Sequence, residues 1–203
     1  MKLKTRSRPR SRAYDMVNRA AQAQATRERI SEAAVELYTE RSLDGFTLDE
    51  VARRAEVTVQ TVLRVFKTKD KLLLAALQAL STHGGTMKTP DLPGDVAGAV
   101  AVIFDLYETV GNIIIQQLGD EHRLPGLKAD MDLGRRGHAD WVNAAFAPQL
   151  ARRHGAVLKQ VFNALMVATD VYVWKLLRYD QGLNRSAAEA VIEHIIAGIV
   201  RGA

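Results

Sequence analysis

Between Thr58 and Arg64 the chain reads Thr-Val-Gln-Thr-Val-Leu-Arg, a run rich in hydrogen-bonding groups but without a catalytic pairing. The amide of Gln60 can pair with adenine at two points, and the guanidinium of Arg64 suits guanine or phosphate. Thr58, Val59 and Thr61 offer smaller contacts, and Leu63 can meet a thymine methyl. Thr47, Lys67 and Lys69 flank the run with a hydroxyl and two ammonium groups suited to phosphate oxygens. This is chemistry for double-stranded DNA, with base edges and backbone addressed by different residues.

Such a set works only if short helices hold it. Thr47-x-x-Glu50 is a capping box, in which each side chain satisfies the other residue's free backbone N–H. Leu48, Val51, Ala52 and Ala55 form the buried side of the helix that follows, and small Ala52 lets a partner helix come close. Glu56 and Val57 make a turn, and Thr58 caps the next helix. Val62 and Phe66 are four apart and face the core, so Val59, Gln60, Leu63 and Arg64 point outward. Helix, tight turn and second short helix together are the layout of a helix-turn-helix, whose second helix enters the major groove.

The flanks fit. Ile30, Ala33, Ala34, Leu37 and Tyr38 recur at helical spacing in a helix expected to start near Thr26 and to break at Ser42, Asp44 and Gly45. Thr68 caps a fourth helix with Leu72, Leu73, Ala76, Leu77 and Leu80 as its apolar positions. The N-termini of the second and fourth helices are expected to present free N–H groups to phosphates.

Composition sets the bounds. With 203 residues, 47% hydrophobic and 25% charged, the chain can bury a core without staples. It has no cysteine, so no disulfide or thiolate chemistry is expected. No apolar run approaching the ~18 residues of a membrane span is read, nor a secretory signal, and a cytoplasmic protein is expected. The net charge is +5. The first 25 residues carry seven Lys or Arg against Asp15 alone, so the remainder is slightly acidic. Residues 1–25 are expected to be a basic, disordered arm with a helical end through the Ala/Gln stretch at 20–25, in which Arg6, Arg8, Arg10 and Arg12 can enter a minor groove. Residues 26–80 balance nine basic against nine acidic residues, so phosphate binding there depends on placement or on the arm.

Residues 81–94, with Gly84, Gly85, Pro90, Pro93 and Gly94, read as a linker. Residues 95–203 read as all helical: a long helix over 95–118, an irregular stretch over 120–134, a helix over 135–153, then helices over 156–180 and 186–201, the last capped by Ser186. No Ser-His-Asp pattern, phosphate loop or dinucleotide fingerprint appears, and no enzyme and no cofactor are expected. The five histidines, at 83, 122, 138, 154 and 194, form no i, i+4 metal pair, although Asp120, His122 and His138 can meet in space.

Residues 26–80 resemble the DNA-binding head of the tetracycline-repressor (TetR) family. The resemblance rests on the Ala-rich first helix, Gly45-Phe46-Thr47, Val57-Thr58, Phe66, and Lys69-x-x-Leu72. It departs at Glu56, where the family usually has Gly, and at Leu63, where it usually has a phosphate-reaching Tyr. Arg64 can take over the latter contact. The resemblance implies an all-α fold, with a three-helix head joined by a connector helix to a C-terminal ligand-binding and dimerising domain. It implies a sequence-specific regulator, usually a repressor, that binds a palindromic operator as a homodimer. Release would come from a small apolar or amphipathic effector.

For the dimer interface the resemblance points to the last two long helices, with Val161, Leu165, Ala168, Ile192, Ile195, Ile196 and Ile199 as interface residues or as intramolecular core. Phe104, Tyr107, Trp141, Phe146, Phe162, Met166, Asp170 and Trp174 are pocket residues or core. Asp170 sits among apolar residues and needs a partner, either a ligand or an Arg or Tyr of the core. The alternative function is a constitutive or partner-controlled DNA-binding protein with a filled core.

Overall fold

The computed structural model describes residues 12–83, 88 and 90–202, with side chains described from residue 16 and not over 81–83. It is all α among these residues. In order the elements are α1 (Arg12–Arg41), α2 (Leu48–Arg54), α3 (Val59–Phe66), α4 (Lys69–His83), α5 (Val96–Asp120), α6 (Leu127–Ala145), α7 (Ala147–Leu150), α8 (Gly155–Ala168), α9 (Val171–Lys175), a π-helical turn (Leu176–Asp180) and α10 (Arg185–Arg201). The chain divides into two compact units, and the division falls within α4, between Ala76 and Leu77.

In the first unit the stripe Ile30, Ala33, Ala34, Leu37 and Tyr38 of α1 is buried, as are Val51, Ala52 and Ala55, Val62 and Phe66 of α3, and Leu72, Leu73 and Ala76 of α4. α1 begins at Arg12, well ahead of the expected start near Thr26. The added turns are exposed, including Met16 and Val17. Their Ala- and Gln-rich sequence favours a helix without packing to support it.

In the second unit one core joins α5, α6, α8, α9 and α10. α5 is long and apolar enough to cross a membrane by length and composition, beyond what the sequence reading allowed. Here it is a core helix that buries Ala99, Val100, Ile103, Phe104 and Tyr107. Gly111 on α5 has a function in packing: a Cβ there would lie 2.5 Å from the Trp174 ring.

Three expected boundaries differ. The stretch read as irregular over 120–134 is helical from Leu127, because Pro125-Gly126 ends the break; Gly126 at φ 93° opens α6. The helix read over 156–180 is two, bent by 41° at Thr169-Asp170. Thr169 bonds its hydroxyl back to Leu165 O at 2.9 Å, and Asp170 caps α9 by accepting from Tyr172 N at 2.9 Å. The backbone amide of Tyr172, rather than an Arg or Tyr side chain, is thus the partner of Asp170. The last helix is capped by Asn184, which accepts from Ala187 N, and not by Ser186.

Candidate nucleic-acid interface

α2 and α3 are set by their caps. Thr47 accepts from Glu50 N while the Glu50 carboxylate accepts from Thr47 N at 2.9 Å, so the capping box forms as read. These bonds, with Arg41 at 2.6 Å, hold the Glu50 carboxyl below its ordinary range; the Thr47 backbone N–H is the largest cause. At α3, Thr61 N donates to Thr58 Oγ1 at 3.2 Å. Val62 and Phe66 are buried, Gln60 and Arg64 are exposed, and Val59, Thr61 and Leu63 are half-buried. The structure therefore presents Gln60 at the first turn of α3 with its amide unengaged by any described hydrogen bond. Arg64 and Val65 line an open groove against α1 with Gln22, Ala23, Ala25, Thr26, Glu28, Arg29 and Glu32.

Both flanks of α3 have positive φ: 54° at Glu56 and 71° at Lys67. Thr68 N donates to Phe66 O at 2.9 Å, which makes Lys67 the centre of a γ-turn. The turn before α3 therefore does require positive φ where Glu56 replaces glycine.

Lys69 departs from the sequence reading. Its ammonium turns inward and donates to Leu43 O at 2.6 Å and Phe46 O at 2.5 Å, over the Phe46 ring. Burial lowers its pKa from the ordinary lysine value. Nothing in the sequence pattern announced this, because the partners lie 26 and 23 residues away. Arg54 pairs with both oxygens of Glu40 at 2.8 and 3.0 Å, and Arg53 is exposed. In the arm, Arg6, Arg8 and Arg10 lie outside the described residues, and Arg12 opens α1.

The residues read as pocket or interface are mostly core. Phe104, Tyr107, Trp141, Phe146 and Trp174 are buried, and Phe162 and Met166 pack against them half-buried. Trp141 meets Phe146 edge-on at 6.1 Å and Tyr107 meets Trp174 at 5.9 Å. Their polar atoms are engaged: Tyr107 OH donates to Thr169 O, Trp141 Nε1 to Lys88 O and Trp174 Nε1 to Glu108. Phe162 also edges a shallow groove of about 280 Å³ with Asn143, Gly155, Leu158 and Lys159. Val161, Leu165, Ala168, Ile192 and Ile196 are buried inside the one chain, while Ile199 is half-buried and Ile195 is exposed.

The groups read as able to meet are apart in function. Asp120 pairs with Arg123, His122 with Glu121, and His138 with Thr169. No cluster able to hold a metal occurs among the described residues.

Residues 30–76 match the family model described as bacterial regulatory proteins, tetR family. The chain is 38% identical over 73 residues to the HTH-type transcriptional regulator SrpR of Pseudomonas putida, across 36% of this chain and 34% of that protein. It is equally identical over 73 residues to the uncharacterized HTH-type transcriptional regulator TtgW, from a strain of the same species, across 36% of this chain and 54% of that one. The chain thus spans about a third and about half the length of the curated relatives it matches. In fold it is similar to a transcriptional regulator from Rhodococcus sp. Rha1, with a TM-score of 0.68 at 19% identity over 87% of this chain and 96% of that one. It is also similar to a mutant of HlyIIR, with a TM-score of 0.57 at 14% identity over 85% and 96%. Residues 30–76 thus carry a head of the kind described by the tetR family of bacterial regulatory proteins, and the chain shares its overall helical fold with the two solved structures.

Proposed function

We propose that the chain is a DNA-binding transcription regulator that binds a two-fold-related operator as a homodimer, with α3 in the major groove. The observation that carries this is α3 itself: capped at Thr58, anchored by Val62 and Phe66, and offering Gln60 outward. Gln60 reads a base edge. Thr58, Val59, Thr61 and Leu63 make small contacts around it, and Thr47, Arg64 and Lys67 meet phosphates. Two heads reach half-sites about 34–36 Å apart, or a multiple of that. Residues 2–12 add a basic arm to the same duplex, and repression follows where the operator overlaps a promoter.

Selection of duplexes from a random library by the purified protein tests the reading. A palindromic consensus is the expected result. Enrichment of no sequence, with equal affinity for all duplexes, would sink it. Repeating the salt titration without residues 2–12 tests the arm: the slope of log K against log salt flattens if the arm binds phosphates, and an unchanged slope and affinity exclude it.

A second reading concerns control. The aromatic residues that would line an effector pocket pack on one another with their polar atoms engaged. That favours a regulator controlled by a partner or by its own abundance over release by a small apolar effector. A thermal-shift screen of such ligands decides: a compound that raises the melting temperature and weakens operator binding restores the effector mechanism.

A further inference from the structure

Phe46 directly precedes the cap of α2, and Lys69 follows the γ-turn that ends α3. Residues 47–68, the whole helix-turn-helix, therefore lie between the two ends of one contact. At that contact the Lys69 ammonium donates to Leu43 O and Phe46 O and rests 3.9 Å from the centre of the Phe46 ring. Two of its three N–H groups are spent on backbone carbonyls, and the ring covers it from another side. A phosphate would have to draw it away from all three.

We propose that Lys69 is a positioning residue, a clamp that ties the α1–α2 loop to the start of α4 and so fixes α2 and α3 in one frame for DNA. This rests on the DNA-binding reading above. The clamp acts as a point charge between two carbonyls over a ring. Arginine keeps the charge but not that geometry, since its planar fork is bulkier and donates in fixed directions. A lysine that only meets phosphate behaves otherwise, because arginine replaces it there readily.

The test compares Lys69→Arg and Lys69→Met with the wild type, on a duplex that the wild-type protein enriches from a random library. Binding is measured where circular dichroism shows each variant fully folded, so a loss of stability alone leaves affinity unmoved. The clamp predicts that both variants bind about tenfold more weakly, the equivalent of one charged hydrogen bond. It also predicts the wild-type salt slope and faster amide exchange over residues 42–47. Wild-type affinity in Lys69→Arg overturns the proposal. So does a salt slope in Lys69→Met shallower by about 0.9, the signature of one lost phosphate contact. If Lys69→Met does not fold, Phe46→Leu removes the ring under the ammonium, and weaker binding at the wild-type slope is again the expected result. If the wild type enriches no duplex, the DNA-binding reading fails by itself. Exchange over residues 42–47 in Lys69→Arg then decides the clamp: faster supports it, and unchanged overturns it.

Discussion

Gln60 is the second residue of α3, just past the Thr58 cap and on the side opposite buried Val62 and Phe66. If its amide pairs with an adenine, Gln60→Ala costs about 1–3 kcal/mol on the selected duplex and little on random DNA. Competition between the two duplexes measures this, and equal losses on both would make Gln60 a backbone contact. Glu56 is the other informative residue. An L-residue in the left-handed region costs about 1–2 kcal/mol, and glycine gives back about 0.5–1 through its freer unfolded state. Glu56→Gly is therefore expected to stabilise the fold by up to about 1 kcal/mol and, if the α2–α3 turn faces DNA as proposed, to tighten binding to all duplexes alike by removing a carboxylate. A lower melting temperature would show that the Glu56 side chain makes a contact worth more than the strain. Both residues were legible in the sequence because caps, turns and helix faces are local patterns. Lys69 was not, because a lysine's type and position do not say that it folds back onto carbonyls distant in the chain.

At the scale of elements, the break between α8 and α9 has no glycine or proline to announce it. It comes from Thr169 and Asp170, which bond to nearby backbone instead of continuing the helix. Two other helices hold the break. Tyr107 of α5 donates to Thr169 O at 2.9 Å, and His138 of α6 meets Thr169 Oγ1 at 2.8 Å. Since the Thr169 hydroxyl already donates to Leu165 O, it can only accept from His138, which places the imidazole proton on Nε2. Burial lowers the His138 pKa below 6.5, with Asp170 opposing weakly. The unfolded chain thus takes up a proton near pH 6.5 that the folded chain refuses. Stability is full above that pH and falls as the pH drops through 6.5 towards the lower folded pKa. Denaturant unfolding between pH 7.5 and 5 is expected to show this loss, at no more than about 1.4 kcal/mol per pH unit for one group. His138→Gln, which can still donate to Thr169, is expected to flatten it. A slope that persists in the variant would assign the proton to another group.

For the whole molecule, the sequence showed which helices were apolar but not which apolar face was left over. Helical spacing in α8 and α10 marks two possible faces, and a residue list cannot divide them between core and partner. The fold divides them: Val161, Leu165, Ala168, Ile192 and Ile196 fill the chain's own core, while Val167 stays 65% exposed and Ile195 40% exposed. Beside Ile195, one turn on, Gly198 is also exposed, so a second helix can approach α10 closely there. A homodimer built on α8 and α10 would use this outer face, and the five core residues would act on assembly only through folding. Ile195→Glu places a like charge opposite itself across a two-fold axis while leaving the core untouched. Sedimentation of this variant should show monomer at concentrations where the wild type is dimeric, with an unchanged circular dichroism spectrum. Binding to the palindromic duplex should fall steeply, because one head alone makes half the contacts, whereas binding to a single half-site should change little. A dimer that survives Ile195→Glu would move the interface off the outer face of α10.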